Sequence, residues 1–172
     1  EALLQTIRSR CERIPFAPLA PREAWAVAEA QGWGGEDQAR WSALGEGSLR
    51  WLEEAAFRRA EAQLEAWLEL MQGRPFAEAS VPLLPEKEAT QAQSEQLRQP
   101  LELLLRLLAD LARVRAGEPP VLQPWREALA ALAPQPMDLK QAQECALEAL
   151  RHLPRNLSAE PLLREVALAL RA

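Results

Sequence analysis

Proline and glycine divide this chain into short segments, and that division limits what the chain can fold into. The 14 prolines and 7 glycines cluster between stretches in which apolar residues recur at steps of three and four. Such spacing places apolar side chains on one face of an α-helix. The clearest stretch has apolar positions at Leu49, Leu52, Ala56, Ala60, Leu64, Trp67, Leu68 and Met71. The pattern predicts amphipathic helices joined by short turns.

Composition favours the same fold class. Hydrophobic residues make up 48% of the 172 residues, which is enough to close a core. Strong helix formers dominate, and tyrosine is absent. The strand candidate is residues 13–16, an alternating segment followed by Pro18 and Pro21. We therefore expect an all-α fold that follows a short extended segment.

Helix start and stop signals predict three helices before residue 73. The first runs from Pro21 to about Gly32, and the second follows Gly34 and ends at Gly45. The third begins at Gly47-Ser48, where Ser48 supplies an N-cap, and stops at Gly73. Three prolines and no helical period then predict a linker and domain boundary over residues 74–85.

About five helical segments are predicted after the linker. They cover residues 86–115, which Pro100 should kink or divide, residues 124–133, a helix capped by Asp138, and a last helix from Ser158. Leucines crowd more than one side of residues 100–114. We expect Leu103 and Leu107 to be available to a partner, with burial inside the bundle as the alternative.

Charge and cysteine content limit the partners and the compartment. A net charge of -5 and a pI near 5.1 provide no basic surface for a nucleic-acid backbone. Cys11 and Cys145 lie far apart and do not form a disulfide framework, which favours a reducing cytoplasm. No apolar run is long enough to span a bilayer, so we expect no membrane partner. Because the chain opens at Glu1 without a signal pattern, we expect an excised fragment.

Few residues suggest chemistry by themselves. His152 has no ligand cluster at metal spacing, and Cys145 shares a helix face with alanines, which predicts a buried small hydrophobe. Gly45-Glu46-Gly47-Ser48 lacks the lysine of a phosphate-binding loop and is interpreted as a helix start. The six tryptophans lie at helical core spacing, and core packing is the expected role: Trp25, Trp33, Trp41, Trp51, Trp67 and Trp125. We expect no metal and no bound cofactor.

The most specific motif is Ser9-Arg10-Cys11, within residues 3–16. From the residues alone, Arg10 and its neighbouring arginines are surface charges beside a strand. The segment resembles the signature of the clamp-loader family of AAA+ proteins, in which a Leu-Leu-Pro-Thr-Ile-like stretch leads into Ser-Arg-Cys. Gln5 stands where that family usually has proline.

The resemblance implies roles for two arginines. It makes Arg10 an arginine finger that reaches the ATP phosphates of a neighbouring subunit, with Ser9 and Cys11 positioning the loop. Gly47-Ser48-Leu49-Arg50 is similar to the Gly-Ser-x-Arg that opens the sensor-2 helix of clamp-loader motor subunits. Arg50 would then face a nucleotide pocket, and an exposed helical arginine is the alternative.

The resemblance also implies an organisation and a function. Residues 1–17 would be a remnant of the AAA+ core, 18–73 a three-helix lid, 74–85 a linker and 86–172 a collar that assembles the subunit ring. The similarity is to the delta-prime subunit of the bacterial DNA polymerase III clamp loader, which helps to load the sliding clamp onto primed DNA. Partners would be the delta and gamma/tau subunits, with ATP bound by neighbouring subunits.

Two alternatives stay open at the level of sequence. One is a truncated gamma/tau motor subunit, which hydrolyses ATP itself, and the other is a helical adaptor unrelated to replication. No phosphate cradle or Mg²⁺-binding carboxylate motif is visible in the 172 residues. We therefore expect the chain to lack a catalytic site in cis, although it would belong to the polymerase III holoenzyme.

Overall fold

The computed structural model describes residues 17–85, 90–153 and 158–171. Within these ranges the regular structure is entirely helical, and no strand is present. The predicted all-α class is confirmed. The strand candidate at residues 13–16 lies outside the described residues.

Three helices precede residue 73, as predicted. Helix α1 spans Pro21–Ala30, α2 spans Gln38–Gly45 after a 3-10 turn at Gly35–Asp37, and α3 spans Glu54–Met71. Pro21 stands at the start of α1, where its missing N–H is no loss. The third helix begins later than expected, because residues 48–53 form turns instead of its first helical turn.

Residues 74–85 contain more structure than the predicted linker. A one-turn helix α4 spans Phe76–Ala79, and a 3-10 turn spans Val81–Leu83. Both elements pack against α3. Ala79 and Leu83 are buried, so this segment contributes to the hydrophobic core.

Four helices follow. Helix α5 spans Thr90–Arg115, α6 spans Arg126–Leu132 after a 3-10 turn at Gln123–Trp125, α7 spans Leu139–His152 and α8 spans Ala159–Ala169. Helix α5 packs against α3, α6 and α7, and α7 packs against α8. Helix α5 is therefore the central helix of the described structure.

Pro100 was expected to kink or divide this segment, and it does not divide the helix, which is continuous from Thr90 to Arg115. The expectation that Leu103 and Leu107 are available to a partner was wrong. Leu103 and Leu107 are 3% and 0% exposed, so they belong to the core and are not free for a partner. The reason is the central position of α5, which has neighbouring helices on more than one side.

One hydrophobic cluster runs through both halves of the described chain. At the junction, the Trp67 Nε1–H donates to the Pro100 carbonyl at 2.8 Å, and α2 contacts the 3-10 turn at Gln123–Trp125. Five of the six tryptophans are buried and Trp33 is partly buried, which confirms their predicted core role. The division into a lid over residues 18–73 and a collar over 86–172 stays a prediction.

Asp138 caps α7 as predicted, since its Oδ1 accepts from the Gln141 N–H at 3.0 Å. The predicted core face of the last helix is also buried: Leu162, Leu163, Val166 and Leu170. In the described part of the chain, no helix combines the length and apolarity needed to cross a membrane.

Candidate functional site

Only part of the predicted functional site lies among the residues that the structure describes. Ser9, Arg10 and Cys11 lie outside the described residues. Arg50 is described, in the loop of residues 46–53 that joins α2 to α3. Among the predicted site residues, Arg50 is thus the one that the structure describes.

The loop begins with two left-handed residues. Glu46 has φ of 47° at the C-cap of α2, and Gly47 follows with φ of 80°. The Leu19 N–H donates to the Gly47 carbonyl at 3.0 Å, which holds the two backbones together. A Cβ at residue 47 would lie 2.1 Å from the Leu19 carbonyl oxygen, so only glycine fits without backbone movement.

Two tryptophan indoles keep the end of the loop out of the helix. The Trp41 Nε1–H donates to the Trp51 carbonyl at 2.9 Å, and the Trp33 Nε1–H donates to the Leu52 carbonyl at 3.2 Å. The first backbone bond of α3 is instead made by the Glu53 carbonyl, which accepts from the Phe57 N–H. The expected helix start at Ser48 was therefore wrong. Ser48 Oγ accepts from the Arg50 N–H at 3.3 Å within the turn.

Arg50 consequently lies in a turn and not on a helix. Its guanidinium carbon is 4.6 Å from the centre of the Trp51 ring, a cation–π geometry. Its Nη1 is 3.9 Å from Glu102 Oε2 on α5, and the arginine side chain remains 50% exposed. An exposed pair at that distance contributes little to stability.

Arg106 joins α5 to the end of α2. Its two terminal nitrogens donate to the Leu44 carbonyl at 2.8 Å and the Ala43 carbonyl at 2.7 Å. Nη2 also lies 2.9 Å from Glu46 Oε1. A guanidinium at the C-terminal end of a helix satisfies free carbonyls and complements the helix dipole. The sequence pattern did not single out Arg106.

A cavity of about 500 Å³ lies between the loop and α5, and we call it the Arg50 cavity. Its lining consists of Ala17 and Pro18, the loop and end of α2 between Leu44 and Trp51, and the α5 residues Gln99, Glu102, Leu103 and Arg106. The cavity contains Arg50, the one described residue of the predicted site. Gln99 was not singled out by the sequence, because nothing local distinguishes it from other polar helix residues.

Three hydrogen-bond donors at the Arg50 cavity have no partner among the described residues. They are Trp51 Nε1, Gln99 Nε2 and Arg106 Nε, and each atom is buried. Trp51 itself is only 3% exposed. Each of the three atoms is buried from solvent, so none of them faces the open space of the cavity.

The cysteine and histidine candidates meet at a smaller cleft. Cys145, Glu148 and His152 of α7 face Leu162, Glu165 and Val166 of α8 around a volume of about 220 Å³. Cys145 is a free thiol and half-buried, whereas the sequence predicted full burial. Burial, helped by the charges of Glu165 and Glu148, raises the pKa of the Cys145 thiol and disfavours the reactive thiolate. Among the described residues, no group of three or more potential ligands could hold a metal ion.

Comparison of the chain with protein-family models, with curated proteins and with solved structures found no match.

Proposed function

We propose that this chain is the lid and collar part of a delta-prime-type subunit of a bacterial clamp loader. The observation that carries the proposal is Ser9-Arg10-Cys11 within residues 3–16, the most specific motif in the sequence. In such a subunit Arg10 acts in trans at the ATP site of a neighbour. A planar guanidinium that stays charged when desolvated suits this role.

The helical architecture supports the proposal. Three helices precede residue 73 and further helices follow residue 90, in the order that a lid and a collar require. A ring-forming collar also needs apolar surface that its own core leaves exposed. With Leu103 and Leu107 buried, the large apolar side chains still exposed among the described residues beyond residue 90 are Val121, Leu147 and Leu168. These residues are the better candidates for contacts with delta and gamma/tau.

The position of Arg50 bears on the sensor-2 role that the resemblance implied for it. A sensor-2 arginine belongs to the first turn of a helix, whereas Arg50 lies in a turn and stacks on Trp51. A subunit that does not hydrolyse ATP itself needs no such arginine at a nucleotide. This difference favours a delta-prime-type subunit over a truncated gamma/tau motor.

The proposal is tested by reconstituting a clamp loader from the complete subunit containing this chain, with delta and gamma/tau. We expect a stable ring by size-exclusion chromatography with light scattering. Arg10→Ala should leave assembly intact and lower the clamp- and DNA-stimulated ATPase by roughly a thousandfold at the site it completes. Arg10→Lys should not restore it fully, because an ammonium does not reproduce the bidentate fork.

Arg22→Ala is the matched control, since Arg22 is an exposed arginine on α1. It should alter neither assembly nor ATPase. Failure to assemble with clamp-loader subunits would favour the unrelated helical adaptor. Unchanged ATPase in an assembled Arg10→Ala ring would make Arg10 a surface charge.

A further inference from the structure

We draw no further inference here: the strongest candidate, the groove between α3 and the 3-10 turn at Val81–Leu83, where the exposed Val81 lies beside Ala55 and Ala62, is an unpartnered apolar surface, and nothing in the structure shows what covers it.

Discussion

At Gly47 the chain turns from α2 toward α3 with φ of 80°, beside the backbone of Leu19. Two separate constraints meet here, since left-handed φ disfavours any Cβ and the Leu19 carbonyl occupies the place a Cβ would take. Gly117 has nearly the same φ, 79°, and no atom within 4 Å of its ideal Cβ. A comparison of alanine variants at Gly47 and Gly117 therefore separates the cost of backbone strain from the cost of steric overlap.

We expect Gly117→Ala to lower the free energy of unfolding by about 1 to 2 kcal/mol, the usual cost of a left-handed non-glycine residue. Gly47→Ala should cost at least about 1 kcal/mol more, because overpacking adds to the strain. Urea denaturation of both variants measures the difference. Equal losses would show that the Leu19 backbone moves aside without cost.

Arg106 illustrates how one side chain can serve two elements. It belongs to α5, yet its guanidinium holds the last carbonyls of α2 and the charge of Glu46. Its Nε is buried without a hydrogen-bond partner among the described residues. The same residue thus caps α2 and contributes to one wall of the Arg50 cavity.

At the scale of elements, α5 decides most of the packing. Its leucines Leu101, Leu104, Leu107, Leu108 and Leu111 are each 0% exposed. A helix that is apolar around much of its circumference fits a central position, where several neighbours cover it. The crowding of leucines that suggested a partner surface is explained by α3, α6 and α7 instead.

Leu107→Ala should lower the free energy of unfolding by roughly 2 to 5 kcal/mol, since removal of a buried leucine loses contacts and leaves a cavity. Leu168→Ala on α8 is the control, because Leu168 is 63% exposed, and it should change stability by less than about 0.5 kcal/mol. Thermal and urea unfolding followed by circular dichroism measure both. An unchanged free energy of unfolding in Leu107→Ala would contradict the buried position of Leu107.

At the scale of the whole molecule, the sequence and the structure suggest different divisions. The prolines of residues 74–85 predict a boundary, whereas the hydrophobic cluster continues from α3 into α5. Trp67 and Arg106 add hydrogen bonds across the same junction. Shared core of this kind couples the unfolding of two halves.

The position of the tryptophans provides a test of that coupling. Five of the six lie before residue 73, so tryptophan fluorescence reports chiefly on the first half, whereas circular dichroism reports on all helices. We expect the two thermal transitions to coincide, because separate melting would expose the core between α3 and α5. Transitions with distinct midpoints would instead establish the lid and the collar as independent folding units.

Local information in the sequence was enough for the fold class and most helices. The period of apolar residues can be identified within each segment, and so can the Asp138 cap and the buried face of α8. Such features depend on neighbours within about one helical turn. They therefore need no knowledge of the rest of the chain.

Tertiary structure alone decided the site. Residues 48–53 leave the helix because indoles from Trp33 and Trp41 take their carbonyls. Gln99 and Arg106 lie about fifty residues further along the chain and line the Arg50 cavity together with the loop. Burial of Leu103 and Leu107 likewise depends on which helices surround α5. These outcomes depend on contacts between distant segments, and a period or a cap in one segment carries no information about such partners.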